Sequence, residues 1–132
     1  MTGWMGSTRL GIDLIGVFRV PIEVGDPAGT RFETIEALVD TGASYSVLSA
    51  SLLHGLGIVP YGVIPMTLAD GSVREYELGH ATAKINGNSA PTIVVFGDDN
   101  MRVPLLGAYT LEGLALQVNP VDGRLETIVG YL

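Results

Sequence analysis

One carboxylate in the sequence stands where a side chain could do chemistry on a bound molecule. Residues 37–39 (Ala-Leu-Val) are typical of a buried strand end, and Asp40, Thr41 and Gly42 follow them. Glycine at this point indicates a tight turn. An ionised carboxylate is rarely buried alone, so Asp40 must face a cleft, a hydrogen-bond donor or a second carboxylate, where it could act as an acid or a base. A simple Asx turn, closed by the Asp side chain itself, is the alternative.

A second apolar strand ends in glycine at residues 103–107 (Val-Pro-Leu-Leu-Gly), and a short helical segment follows it. Together the two strand ends resemble the retropepsin-like aspartic proteases, the family of the retroviral proteases and of the single lobes of pepsin. The resemblance runs from about residue 16 to about residue 120. It implies an all-β fold of the single-domain bacterial or cellular type: a closed or partly closed barrel with a flap hairpin and one or two short helices.

The resemblance also assigns roles to the motif residues. Asp40 is the expected catalytic carboxylate, Gly42 an expected backbone donor to it, and Thr41 an expected hydrogen-bonding partner of the opposite chain. The strand that crosses behind this catalytic motif, and supports it structurally, is expected to contain Leu105, Leu106 and Gly107.

A substrate cleft is implied between the motif and the flap. The expected substrate-binding residues are Ala43, Ser44, Tyr45 and Val47 near the turn, Leu68, Ala69, Asp70, Gly71, Ser72 and Val73 in the flap, and Val103 and Pro104 before the crossing strand. Most are apolar or small, which predicts an apolar substrate residue beside the cleaved bond. Two features depart from the retroviral pattern: Ser44 stands where those enzymes usually have Asp, and the flap tip is not rich in glycine.

Peptide hydrolysis by carboxylates needs two of them about a hydrogen bond apart, sharing one proton. The sequence contains one Asp-Thr-Gly and no second copy. A two-fold homodimer would supply the second, because its axis brings the same residue together twice. The predicted function is therefore a homodimeric aspartic endopeptidase acting on extended peptides or unfolded proteins. The alternative is a non-catalytic dimerisation or peptide-binding module with the same fold.

Alternation and turn residues predict the order of the elements. We expect a flexible arm over residues 1–12 and one domain over 13–132. Strands are predicted over 14–24, 31–39, 63–68, 73–78, 80–85, 91–96, 102–106, 116–119 and 125–129, and helices over 49–56 and 108–114. Turns are predicted at 26–29, 70–71 (type I′), 86–87 and 120–123, with a solvated loop at 97–100.

Composition limits the other functions. The net charge of −7 argues against nucleic-acid binding, and the absence of cysteine excludes disulfides and thiol catalysis. Only 16% of the residues are charged, which suggests that a second subunit covers apolar surface. No run has the length of a membrane span and the first ten residues are too polar for a signal peptide, so a soluble, cytoplasmic protein is expected. No cofactor or metal is implied.

Three further candidates carry less weight. A Ser-His-Asp site would need His54 or His80 beside Ser44 or Ser46, and no nucleophile-elbow pattern supports it. The Asp-Asp-Asn sequence at 98–100 offers oxygen ligands but lacks the spacing of a calcium loop. A flap tyrosine is the remaining candidate: Tyr76 fits ordinary strand packing better than that role.

Overall fold

The computed structural model describes residues 18–130, so the predicted arm lies outside the described residues. These residues form β-strands and two short helices. The strands are β1 (Arg19–Gly25), β2 (Phe32–Val39), β3 (Ser46–Ser49), β4 (Gly62–Thr67), β5 (Val73–Ile85), β6 (Asn88–Gly97), β7 (Leu105–Leu106), β8 (Leu116–Asn119) and β9 (Arg124–Thr127), and the helices are α1 (Ala50–Gly55) and α2 (Ala108–Gly113).

Six strands close into a ring, which confirms the predicted all-β barrel. Their order is β1-β2-β7-β3-β6-β5, and β5 returns to pair with β1 through Glu23 opposite Lys84 and Gly25 opposite Thr82. Strand β4 lies outside the ring and, within the described part of the chain, pairs only with β5, while β8 and β9 form a separate hairpin. Closing the sheet removes most of its exposed edges.

The barrel encloses an apolar core made by the inward side chains of alternating strand residues. Val39, Leu48, Leu53 and Leu106 are all at most 1% exposed, and they come from β2, β3, helix α1 and the crossing strand β7. Because Val39 and Leu106 directly flank the Asp-Thr-Gly turn and its crossing glycine, the best-buried part of the core also supports the candidate site.

The crossing strand β7 lies between β2 and β3, parallel to the first and antiparallel to the second. It covers Leu105–Leu106, which is shorter than the predicted 102–106. The chain bends at residues 102 and 103, and Pro104 has no N–H to donate to a ladder. Its carbonyl oxygen still accepts a hydrogen bond from the Leu38 N–H at 2.8 Å, which keeps this segment against β2.

The flap is the hairpin of β4 and the first half of β5. Strand β5 runs without a break through the two predicted strands 73–78 and 80–85, so one element belongs to both the flap and the barrel. The type I′ turn predicted at the flap tip is wrong, because Gly71 has a positive φ of 85° but Asp70 does not. Instead, Gly71 N–H bonds to Leu68 O and Leu68 N–H to Ser72 O, at 2.9 and 2.8 Å, closing a three-residue loop.

Both helices begin near where they were predicted. The Ser49 hydroxyl caps α1 by accepting the Leu52 N–H at 3.3 Å. Helix α2 starts directly after Gly107, and the final hairpin follows it as predicted. Within residues 18–130, no helix has both the length and the apolar character needed to cross a membrane.

Candidate active site

Asp40 follows the last residue of β2 and is half-buried. Its N–H donates to the Leu106 carbonyl oxygen at 3.0 Å, and its own carbonyl oxygen accepts the Ala43 N–H at 3.1 Å. The side-chain Oδ1 accepts the Gly42 N–H at 3.0 Å. The Asx turn is therefore present, and the same backbone donor holds the carboxylate in a fixed orientation.

Gly107 lets the crossing strand approach this turn. A Cβ there would lie 2.6 Å from the Tyr45 carbonyl group and 2.9 Å from the Ala43 carbonyl oxygen, so no larger residue fits without moving backbone. The next N–H, that of Ala108, donates to Ala43 O at 2.8 Å. The turn that carries the carboxylate is thereby fixed to the start of α2.

Buried hydroxyl groups support the same junction from behind. Ser46 Oγ accepts the Gly107 N–H at 3.0 Å and lies 2.6 Å from Thr110 Oγ1, which lies 2.8 Å from Thr92 Oγ1. All three hydroxyl side chains are buried. Because buried hydroxyl groups are costly unless paired, this chain of hydrogen bonds fixes α2, β3 and β6 relative to one another. The Ser46 hydroxyl therefore has a structural role in this chain of hydrogen bonds.

A pocket of about 270 Å³ lies between the Asp-Thr-Gly turn and the flap. Its lining includes the turn residues 42–45 on one side and the flap residues 64–67 on the other. Tyr45 borders it, and its ring packs against that of Tyr109 with centroids 5.8 Å apart. A side chain bound here would contact both the flap and the residues that follow Asp40.

A second pocket, of about 220 Å³, also borders the flap and shares Met66 with the first. Its apolar lining includes Val47, Met66, Leu68, Met101 and Leu105. Its polar border is formed by Tyr76, Asp98 and Asn100. The thioethers of Met66 and Met101 are flexible, which suits the pocket to apolar side chains of different shapes.

The predicted substrate-binding residues divide into three groups. Residues 43–45 line the first pocket, and Val47 and Leu68 line the second. Residues 69–73 form the exposed flap tip, and residues 103 and 104 line neither pocket.

Sequence reasoning missed several lining residues, including Ile64, Met66 and Met101. The alternation along β4 was a usable signal for two of them, because Ile64 and Met66 lie two residues apart and so share a face.

The flap tip carries an anionic side chain that hydrogen bonds to its own turn. Asp70 Oδ1 accepts the Ser72 hydroxyl at 2.6 Å and the Ser72 N–H at 2.9 Å. These bonds, the hydroxyl first, hold the pKa of Asp70 below its ordinary value. The tip therefore carries a negative charge at neutral and mildly acidic pH.

The remaining sequence candidates are occupied by other contacts. His54 packs against Phe96 with ring centroids 5.0 Å apart, and His80 stacks on Tyr61 at 4.3 Å. Asp99 accepts the N–H and the hydroxyl of Ser51 at the start of α1, which lowers the pKa of Asp99. Among the described residues, no cluster of three or more His, Cys, Asp or Glu could hold a metal ion.

Comparison by sequence finds one family. The sequence model of a family described as gag-polyprotein putative aspartyl protease matches residues 31–113, a span that includes the Asp-Thr-Gly turn, the flap and the crossing strand. In a search of curated proteins, none matched the chain.

Comparison by structure finds similar folds among retroviral and bacterial proteins. EIAV protease in complex with the inhibitor HBY-793 has a TM-score of 0.62 and 21% identity, over 83% of this chain and 99% of that one. A foamy viral protease-reverse transcriptase bound to an RNA/DNA hybrid has a TM-score of 0.56 and 13% identity, and the match covers 74% of this chain and 12% of that one. A retropepsin-like aspartic protease from Rickettsia conorii has a TM-score of 0.50 and 18% identity, and the match covers 78% of this chain and 86% of that one. At these identities the likeness concerns the fold.

Proposed function

The chain belongs to the gag-polyprotein putative aspartyl protease family, and on that premise we propose that it is an endopeptidase active as a homodimer. Each copy supplies one Asp40, and the two carboxylates together form the catalytic pair. The substrate is a peptide or an unfolded protein bound in extended form beneath the flaps.

One observation carries the proposal: the chain holds a single carboxylate, that of Asp40, in a fixed orientation on a rigid support. Asp40 is oriented by the Gly42 N–H at 3.0 Å and backed by Leu106 and Val39, which are fully buried. The sequence has no second Asp-Thr-Gly. A two-fold axis beside the turn would bring two such carboxylates together without any change within either chain.

The proposed reaction is general acid–base hydrolysis by two carboxylates that share one proton. The ionised carboxylate takes a proton from a water molecule as the water oxygen attacks the peptide carbonyl carbon. The protonated carboxylate gives its proton to the carbonyl oxygen. As the C–N bond breaks, the carboxylate that took the water proton gives it to the amine nitrogen, and the other carboxylate takes a proton from a hydroxyl of the tetrahedral species, so the pair again holds one proton. The titration belongs to the pair and not to either residue.

The other site residues have supporting roles in this proposal. Gly42 orients the carboxylate, Thr41 is exposed and free to reach the opposite chain, and Gly107 holds the crossing strand against the turn. The flap covers the bound peptide, and among residues 18–130 its outer strand β4 has a neighbouring strand on one side only, so its other edge can pair with an extended substrate. The two pockets beside the turn receive substrate side chains.

Substitution of Asp40 by Asn tests the proposal. Asp40→Asn keeps the shape and the Gly42 hydrogen bond but removes the proton exchange, so cleavage of an unstructured protein should fall by about two orders of magnitude or more. Glu33→Gln, the same chemical change at an exposed position of the same strand, serves as the matched control and should retain activity. Cleavage should be measured from pH 3 to pH 8 by mass spectrometry of the products, with far-UV circular dichroism to check folding.

The outcomes separate the enzyme from the non-catalytic alternative. Equal cleavage by the parent and Asp40→Asn would show that Asp40 is not the catalytic group. No cleavage by the parent at any pH, together with dimerisation and peptide binding, would favour the binding module.

A further inference from the structure

The flap carries a cation on the face that covers the second pocket. In the β4–β5 register, Arg74 lies opposite Met66, and Tyr76 lies opposite Ile64. Residues directly opposite each other on paired strands share a face of the sheet. Met66 and Tyr76 line the pocket, so Arg74 belongs to the same inner face. An unpaired guanidinium here would place a positive charge beside bound substrate.

The wall of the pocket carries the opposite charge. Asp98 follows the last residue of β6 and borders the pocket directly. An unpaired carboxylate here would favour a basic side chain in the pocket. The remaining border is apolar apart from Tyr76 and Asn100, so this charge would determine the pocket's preference.

The two charges meet. Arg74 Nη2 lies 3.0 Å from Asp98 Oδ1, and the Tyr76 hydroxyl donates to Asp98 Oδ2 at 3.2 Å. The guanidinium carbon also lies 5.0 Å from the centre of the Tyr76 ring, within the range of a cation–π contact. The carboxylate thus receives one partner on each oxygen, and both partners come from the flap.

We infer that the Arg74–Asp98 pair determines specificity by removing net charge from the second pocket. The inference rests on the proposed function, since it concerns a substrate side chain bound in that pocket. Paired, the two side chains leave an apolar site for an uncharged residue such as Leu or Met. Each acts through the other, so both are positioning residues and not catalytic ones.

Neutralising Arg74 and neutralising Asp98, each in a separate variant, should shift the substrate preference of the second pocket in opposite directions. Arg74→Gln leaves Asp98 as an unpaired anion and should favour Lys over Leu in the pocket. Asp98→Asn leaves Arg74 as an unpaired cation and should favour Glu over Leu. Since the side chains of the pair are 55% and 46% exposed, each shift should be about three- to fivefold, the size expected for a solvent-exposed pair. The double variant should return to the parent preference.

Arg124 and Asp122 provide the matched control. They form a similar exposed pair, 3.4 Å apart, in the final hairpin. Arg124→Gln and Asp122→Asn make the same changes in net charge and also break an ion pair, but away from the second pocket. Neither should alter the preference for Lys, Glu or Leu.

The experiment is competitive cleavage of peptide mixtures in which each position flanking the cleaved bond is varied among Leu, Lys and Glu. The inference predicts shifts of opposite sign at one position, which shrink in high salt because exposed charges are screened. Shifts of the same sign, no shift, or equal shifts in the Arg124 and Asp122 variants would overturn it while leaving the proposed function intact.

Failure of the proposed function gives a different pattern. If the parent cleaves none of the peptides, the protease proposal fails, and the same comparison is made by fluorescence anisotropy with labelled peptides. If the ratio of the Kd values for Lys and Glu peptides is the same in the parent and in the Arg74 and Asp98 variants, the inference is overturned. If the parent binds no peptide at all, the inference and the proposed function are both overturned.

Discussion

At the scale of single residues, the geometry of the site depends on a glycine that is not part of the Asp-Thr-Gly motif. A Cβ at Gly107 would meet the backbone carbonyl of Tyr45 at 2.6 Å, and backbone cannot rotate away as a side chain can. The turn that carries Asp40 and the start of α2 would have to separate. Gly107 is therefore as necessary to the position of the carboxylate as Gly42 is.

Gly107→Ala should lower the free energy of unfolding by about 2 kcal/mol or more, the cost of overpacking a tight interior site. It should also reduce cleavage. Gly55→Ala is the control, because a Cβ at Gly55 has open space around it and should change stability by no more than about 0.5 kcal/mol. Urea denaturation of both variants measures the difference, and equal stabilities would contradict the packing argument.

A second prediction concerns the buried hydroxyl group of Thr110. Thr110→Val keeps the shape of the side chain but leaves Ser46 and Thr92 without their shared partner, at a cost of about 1–3 kcal/mol. Thr110→Ser keeps the hydroxyl and should cost less. Thermal unfolding distinguishes them, and a valine variant as stable as the serine variant would show that the network adds nothing.

At the scale of elements, the sequence was informative where one local pattern decided the structure. Alternation located β2, Asn-Gly located the turn at 86–87, where both residues have positive φ, and Ser49 located the start of α1. It was uninformative where distant contacts decide. The continuity of β5 depends on pairing with three other strands, and β7 begins later than predicted because the chain bends at residues 102 and 103.

The turn between β1 and β2 gives a prediction about pH. Asp26 accepts the Thr30 hydroxyl and the backbone N–H groups of Thr30 and Arg31, which lower the pKa of Asp26 to about 2. Because the pKa in the folded protein lies below the ordinary value of 3.8, this contribution to stability is fully present above pH 4 and is lost as the pH falls towards 2.

Asp26→Ala should therefore be less stable than the parent at pH 6, and the difference should shrink between pH 4 and pH 2. Thr30→Val removes the hydroxyl but leaves the two backbone donors, so it should give an intermediate result. Melting temperatures recorded across this range test the prediction. A difference that stays constant down to pH 2 would mean that the carboxylate acts through its shape and not its charge.

At the scale of the whole molecule, the ring of six strands positions half of a proposed active site. The barrel and its flap could be predicted because the two glycine-ended strands resemble those of a known family, and that resemblance implies the fold. The complete linings of the pockets could not, because each combines flap residues with residues far from the flap in sequence, such as Met66 with Met101. The Arg74–Asp98 contact was not predictable for the same reason.

If the site is shared between copies, activity should depend on protein concentration. Specific activity should fall on dilution, in step with the dimer fraction measured by analytical ultracentrifugation, and peptide inhibitors that bind under both flaps should oppose the loss. Undiminished specific activity in a sample shown to be monomeric would contradict the shared site.

Subunit mixing tests the central claim most directly. Parent chains and Asp40→Asn chains are unfolded together, refolded at varying ratios, and assayed at constant total concentration. If each site needs an Asp40 from both copies, activity should fall with the square of the parent fraction, because mixed dimers hold only one carboxylate. A linear fall would mean that each chain carries a complete site of its own, contrary to the account.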